Sequence, residues 1–270
     1  LLALIRASHP IPCVAVSSFA GLFSLGSGLP AHNSLLIFLA VLLQQISVGL
    51  SNDWLDYRRD LAANRQDKPS VRGQVSVGQL RFLSLTAAVS AEVLALFLGI
   101  GASLLMLLML ASGWAYNLGM KSNWSSALPY AVGFGTIPVF VGLAAPTPFW
   151  VPTWVVMVSA LLGVAAHFAN VLPDIEADKL TGVNSLPHIL GQKVSAIVIA
   201  ATALIASLLV VTQSEALDPN LAIVGLIATI ILVGFASALS LRAKPTKVAF
   251  TLLILASLVN VILLMLGSGN

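Results

Sequence analysis

Charge is what this chain has least of. Asp, Glu, Lys and Arg make up 9% of its 270 residues, against 58% hydrophobic, whereas soluble domains carry about 25% charged residues. So small a polar complement excludes an ordinary water-soluble globule and points to an integral membrane protein, with membrane lipid as its surroundings and no nucleic-acid partner expected. Cysteine occurs once, as Cys13. That excludes an internal disulfide and gives no metal-ligand spacing, and within an apolar run the residue reads as a small packing group. Alternating strands of a membrane barrel are not visible. The first apolar stretch lacks a small-residue cleavage site, so it reads as a span rather than a leader.

What is present is a series of apolar runs of the length that crosses a bilayer as helix. Nine spans are expected, near 11–29, 34–54, 78–98, 101–119, 127–145, 152–173, 192–212, 221–240 and 247–266. Nine spans place the termini on opposite sides. All 13 Lys and Arg then fall on one side, while the opposite loops carry none and one of them holds Glu215 and Asp218. The positive-inside rule makes that basic side cytoplasmic, so the N-terminus is expected inside and the C-terminus outside. Trp150 and Trp154, in the outer turn before the sixth span, suit the headgroup level.

The few acidic residues are not scattered. Asn52, Asp56 and Asp60 stand at N-x3-D-x3-D spacing, and Asn170, Asp174 and Asp178 repeat it 118 residues later. The same offset pairs Pro69 with Pro187, Gly73 with Gly191 and Gln74 with Gln192. This register reads as an internal duplication within a single domain, 1–270. It predicts two parallel units of about four helices, approximately 11–119 and 127–240, with the ninth helix left over.

Steps of four residues advance about 40° around an α-helix and rise about 6 Å, so each triplet forms a slanting stripe about 12 Å long. One amide and two carboxylates, given twice at the cytoplasmic ends of spans two and six, form a two-sided cleft. Its oxygens suit a hard cation such as Mg2+, which takes one or two carboxylates and completes its shell with water and substrate phosphate. The bland alternative is a solvated helix face or a set of caps.

Other polar residues fall into place around the stripes. Arg65, Lys68, Arg72, Lys121 and Lys179 are the cations nearest to them and suited to a diphosphate, although basic loops also serve topology alone. Tyr116 and Asn117 end the fourth span on the same side. His167 lies seven residues before Asp174, about 10 Å deeper on nearly the same face. It is either a cavity base or acceptor-orienting group, or a packing histidine. Glu92, deep in span three, is either a cavity acid or a protonated structural hydrogen-bonder. Pro173 should open the helix backbone beside Asp174. Gln44 and Gln45 read as helix–helix hydrogen-bonding groups. The loops 57–77 and 174–191 serve as lids over the cleft or as plain connectors.

The run Asn52-Asp53-Trp54-Leu55-Asp56-Tyr57-Arg58-Arg59-Asp60 resembles the N-D-x-x-D-x-x-x-D motif of the UbiA superfamily of intramembrane prenyltransferases. Asp174-Ile175-Glu176-Ala177-Asp178, followed by Lys179 and Gly182, looks like that family's second D-x-x-x-D motif. Asp67-Lys68-Pro69 with Gly73, and Ser185-Leu186-Pro187 with Gly191, also look like its signatures. Lys68 stands where many members carry Arg, and Asn184-Ser185 replaces a commoner basic-Thr pair.

The resemblance implies an all-α ring of nine helices around a central cavity, capped by the two motif loops. It implies that Asn52, Asp56, Asp60, Asn170, Asp174 and Asp178 hold an isoprenyl diphosphate through Mg2+. The C1–O bond then ionises, and the allylic cation alkylates a lipophilic, often aromatic acceptor. The four aspartates Asp56, Asp60, Asp174 and Asp178 would carry the catalysis. Membrane terpene cyclases in the same superfamily give an alternative in which the cation is quenched by its own double bonds. From another class, a divalent-cation transporter would also use duplicated acidic helices. Stripes at the membrane boundary beside a basic loop suit a phosphate better than a midplane ion site.

Overall fold

The computed structural model describes residues 1–175, 178, 182–242 and 246–267. Among them all regular structure is helical. A short α1 (Leu2–Ala7) precedes α2 (Pro10–Gly26) and α3 (Ala31–Leu55), and a one-and-a-half-turn α4 (Tyr57–Ala62) follows directly on α3. Then come α5 (Val77–Leu98), α6 (Ile100–Leu118), α7 (Leu128–Leu143), α8 (Thr153–Val171), α9 (Leu186–Gln213), α10 (Pro219–Ser240) and α11 (Lys247–Gly267). The local chemistry sets the starts. Proline occupies the first turn of α2, α7, α9 and α10, where its missing N–H is no loss. A capping box opens α5: Ser76 Oγ accepts the Gln79 N–H at 3.1 Å, and Gln79 Oε1 accepts the Ser76 N–H at 2.9 Å.

Eight helical stretches among the described residues are long and apolar enough to cross a bilayer; in one of them a 3-10 turn, Trp124–Ala127, runs on into α7 to give 20 residues, Trp124–Leu143. Large apolar side chains such as Phe97, Leu104, Ile197 and Phe235 are exposed on their outer faces. The chain is thus an integral, multi-pass membrane protein. The expected count of nine spans is not reached, because α2 has only 17 residues, about 26 Å against a hydrocarbon core of about 30 Å. Its start is fixed by His9, held in the left-handed region at φ 56, and by Pro10.

Around the ring α2, α3, α5, α6, α7, α8, α9, α10 and α11, each helix touches the next, and α11 closes against α2. Two packed regions hold it together. One joins α2, α3, α5, α6 and α7 through Val16, Ile37, Ala91, Met106 and Phe140, and the other joins α8 to α11 through Val158, Phe168, Ile199, Val233 and Ala256. The buried face of α5 reads Leu80, Ser84, Ala87, Ala91, Ala95, a small-residue stripe that lets α3 approach closely, as membrane helix pairs require. Gly73 and Gly191, the paired glycines of the 118-residue register, both have positive φ, 69° and 76°. A Cβ at either would meet nothing within 4 Å, so the backbone conformation and not lack of space calls for glycine. At Gly191 the helix is interrupted, which is why α9 starts at Leu186 while a regular span was expected only from 192.

Candidate active site

The first oxygen row stands where α3 passes into α4. Asn52 lies in the last turn of α3, Asp56 between the helices and Asp60 within α4. The Asp56 N–H donates to Asn52 O at 3.0 Å, and the Asp60 N–H to Asp56 O at 2.8 Å. The four-residue ladder therefore continues through the row, and the stripe deduced from helical periodicity holds. In the second row Asn170 ends α8, and the chain then tightens into a 3-10 turn, Leu172–Asp174, around Pro173, which has no N–H to continue the ladder.

Both rows line one cavity of about 500 Å³ at the basic end of the ring. Arg65, from the loop after the first row, brings Nη2 to 4.0 Å from Asp174 Oδ1 of the second. Asn52, Asp56, Asp60, Asn170, Asp174, Asp178, Arg65, Lys68, Lys121, Tyr116 and Asn117 all face this space. Deeper in, its walls are mostly apolar, with Val16, Phe19, Phe134, Ile137 and Leu253, interrupted by the amides of Gln44 and Gln45. The Tyr116 and Tyr130 rings meet edge-on between the two zones, centroids 5.2 Å apart.

The cations of the cleft are tied to specific acids. Lys121 Nζ donates to both carboxylate oxygens of Asp56, 2.6 Å to Oδ2, and Arg59 Nη2 adds a bond to Oδ2 at 2.7 Å. Arg65 forms a two-pronged pair with Asp67, 3.0 Å on each prong. Lys68 pairs with the fully buried Asp53, which also bonds His9 Nε2 at 3.1 Å, and its ammonium lies 3.5 Å from Asn52 Oδ1. Asn117 donates to Val48 O and Ser51 Oγ, both at 2.8 Å, and accepts from Asn52 Nδ2 at 3.2 Å. It thereby fixes the orientation of the first row from the neighbouring helix.

Electrostatics follow from burial. Asp178 is raised to about 6 by burial and then by the neighbouring Asp174 charge. Asp60 is also raised, chiefly by burial, with Lys68 opposing. Asp67 is held down at about 2 by its bond to Arg65. Burial lowers Lys121 against the opposing pull of Asp56.

Three expected site residues, His167, Glu92 and Arg72, do not stand on the cavity wall, and a fourth lies outside the described residues. His167 is fully buried behind the tyrosines, its ring 4.8 Å from that of Tyr130 and its Nε2 2.9 Å from Ser126 Oγ. Packing against the aromatic layer, rather than access to the chamber, explains it. Glu92 accepts from Ser103 Oγ between α5 and α6, which supports its reading as a structural hydrogen-bonder and not a cavity acid. Arg72 turns away to the backbone oxygen of Gln66 within its own loop. Lys179 lies outside the described residues. Conversely, Asp53, His9, Arg59 and Tyr130 line the site or hold it and were not singled out. The partners of Asp53, His9 and Tyr130 are far away in sequence, so spacing carries no signal for them, whereas Arg59 bonds Asp56 three residues before it, within the first motif.

A profile of the UbiA prenyltransferase family matches residues 13–266. The chain belongs to this family. Within it, this UbiA-family chain is 31% identical over 184 residues to digeranylgeranylglyceryl phosphate synthase of Pyrococcus furiosus, a match covering 64% of this chain and 62% of the relative. It is 28% identical over 185 residues to the bacteriochlorophyll synthase 33 kDa chain of Cereibacter sphaeroides, covering 64% of this chain and 60% of that one. Its fold superposes on a UbiA homolog from Archaeoglobus fulgidus bound to GPP and Mg2+ with a TM-score of 0.75, 16% identity and 98% of both chains covered.

Proposed function

We propose that this UbiA-family protein is an Mg2+-dependent intramembrane prenyltransferase, moving an isoprenyl group from a prenyl diphosphate to a lipophilic acceptor. The observation that carries this reading is the meeting of two Asn/Asp/Asp rows over a single apolar-walled chamber. The match to the UbiA prenyltransferase family, relatives named digeranylgeranylglyceryl phosphate synthase and bacteriochlorophyll synthase, and a neighbour described with GPP and Mg2+ support it.

The residues present fit the metal. All six are hard oxygen donors, and Asp60 Oδ2 is buried with no hydrogen-bond partner, an arrangement that a cation relieves. Among the described residues no three His, Cys, Asp or Glu side chains converge into a ready-made cage. That suits Mg2+, which binds through one or two carboxylates plus substrate phosphate and water. Asn52, Asp56, Asp60, Asn170, Asp174 and Asp178 would hold it, and when bound it neutralises charge on the leaving diphosphate.

The chain's own part is electrostatic and exclusionary. Arg65 and Lys68, both in the first loop, and Lys121, after α6, offset the remaining diphosphate charge, Arg65 through a fork able to grip two oxygens. Asn117 holds Asn52 in position. Below them the Tyr116–Tyr130 layer and the apolar walls keep water from an allylic cation, whose charge the aromatic faces stabilise. No strong base is needed for ionisation.

The site faces the cytoplasm and the N-terminus is cytoplasmic, a reading supported by the one-sided distribution of Lys and Arg. The ring consists of two parallel four-helix units within one domain. In support, the 118-residue offset carries the start of α2, Pro10, onto that of α7, Leu128, and the start of α6, Ile100, to within one residue of that of α10, Pro219.

Product analysis tests the proposal. Purified protein in nanodiscs with Mg2+ and a panel of prenyl diphosphates, with and without lipophilic acceptors, should give chelator-sensitive prenylated acceptor. Cyclic hydrocarbons or alcohols formed without acceptor would instead establish a terpene cyclase. Mg2+ uptake into proteoliposomes with no prenyl chemistry would refute the enzyme reading.

A further inference from the structure

Two polar side chains in the deep wall of the chamber take no part in holding the diphosphate. Gln44 and Gln45, adjacent on α3, both line the cavity. Chemistry fixes the direction of their bonds. The Met109 carbonyl on α6 can only accept, so Gln44 presents Nε2 to it, at 3.3 Å. The other end of that amide, Gln44 Oε1, then accepts from Gln45 Nε2 at 2.8 Å. The chain of donors runs toward Met109 and leaves one terminus, Gln45 Oε1, with no hydrogen bond to the described residues.

That terminus is in an informative place. Gln45 precedes Asn52 by seven residues, which puts it about 10 Å deeper along α3 and within about 20° of the same face. The neighbouring hydroxyl, Ser112, is committed to Pro129 O at 2.6 Å, and Phe134 and Ile137 on α7 are apolar. An isoprenyl chain carries no donor, so it covers this oxygen without satisfying it, and an amide acceptor left unpaired in apolar surroundings is costly. A group selected to bind hydrocarbon alone would not be built with a free carbonyl oxygen at this depth.

We propose that Gln45 is a specificity-determining residue. Its Oε1 accepts a hydrogen bond from a hydroxyl of the acceptor, so the chamber selects hydroxyl-bearing lipophilic acceptors over otherwise equal ones that lack the group. Gln44 acts as a positioning residue, turning the second amide so that its oxygen, and not its nitrogen, meets the ligand. The inference rests on the prenyl-transfer reading above.

The test uses the full chain in nanodiscs with Mg2+ and geranylgeranyl diphosphate. One probe is geranylgeranylglyceryl phosphate, with its free hydroxyl, and the other is the same lipid with that hydroxyl replaced by hydrogen, used as a competitive inhibitor. In the unmodified protein the hydroxyl probe should bind at least about tenfold tighter than the deoxy probe, the discrimination a site built around a hydrogen bond provides. Gln45→Met should close that gap by raising the KM for the hydroxyl probe, while the KM for geranylgeranyl diphosphate holds. Gln45→Glu, which keeps an acceptor oxygen, should restore part of the preference. The proposal is overturned if the unmodified protein shows no preference for the hydroxyl probe, or if the preference survives in Gln45→Met. It is also overturned if Gln45→Met raises both KM values together, which marks a structural role. Absence of Mg2+-dependent diphosphate release from the unmodified protein would instead sink the prenyl-transfer reading itself.

Discussion

Replacing Asp56 by Ala removes one of the six cleft oxygens' owners and leaves two cations behind. Lys121 and Asp56 are both almost fully enclosed, with side chains 8% and 9% exposed, and Arg59 is bonded to the same carboxylate. Breaking a buried pair by deleting one partner costs about 3–5 kcal/mol, because the remaining charge is left uncompensated. Lys121 can limit that cost by shedding its proton, a change its burial already favours, so the lower end, about 3 kcal/mol, is expected. At about 2–4 °C per kcal/mol for a chain of this size, the ligand-free variant should melt roughly 6–12 °C lower. Turnover should fall by at least about a hundredfold, on the scale of losing one charge-stabilising group. A second substitution separates the two effects. Asp56→Ala with Lys121→Met removes the stranded ammonium and should recover most of the lost thermal stability but none of the activity. Thermal unfolding and diphosphate release, measured on the same preparations, are the assays. Recovery of turnover in the double variant would refute the assignment of Asp56 to the diphosphate site, as would near-normal turnover in Asp56→Ala alone.

The other perturbations are simpler. Gly191→Ala forces a Cβ into extended backbone of positive φ, a conformation nearly exclusive to glycine, and should lower stability by about 1–3 kcal/mol, read as a fall in melting temperature, with no added clash because no neighbouring atom is close. Asn117→Leu removes the group that orients Asn52 and two bonds between α6 and α3. It should raise the KM for prenyl diphosphate several-fold, and an unchanged KM would remove Asn117 from the site. Asp178 carries a folded-state pKa of about 6, so it takes up a proton as the pH falls through that value. Mg2+ affinity should therefore weaken below about pH 6, while the metal-free fold, relieved of a buried charge, is not destabilised by that step. A titration of Mg2+ affinity against pH checks this, and a flat profile between pH 7 and 5 would contradict it.

Helical periodicity is local, which is why the backbone ladder of the first oxygen row was readable from spacing, whereas the second row leaves the α-helix in a 3-10 turn at Leu172–Asp174. The ladder through Asn52, Asp56 and Asp60 is a matter of consecutive backbone bonds, and no distant residue can change it. The spans were equally legible, because bilayer thickness sets their length. The exception, α2, is cut short by a left-handed His9 and by Pro10, a backbone detail that hydropathy does not register. Partner choice was not legible. Lys68 pairs with Asp53 and His9, and Lys121 with Asp56, only because the ring closes and brings α6 and the N-terminal segment against the first motif. His167 illustrates the same limit. The Tyr116 and Tyr130 rings packed against it come from α6 and α7, and nothing in the spacing of α8 reveals them. Gln44 and Gln45 look alike in sequence, yet Gln44 bridges α3 to α6 while the side chain of Gln45 donates to Gln44 beside it.

The central claim is that both rows together, through shared metal, hold one diphosphate. Binding of geranyl diphosphate as a function of Mg2+, compared in the unmodified protein, Asp56→Ala and Asp174→Ala, tests it most directly. Mg2+-dependent binding that either substitution alone abolishes is the expected outcome. Binding that survives loss of one row's aspartate undiminished, or that does not depend on Mg2+, would contradict it.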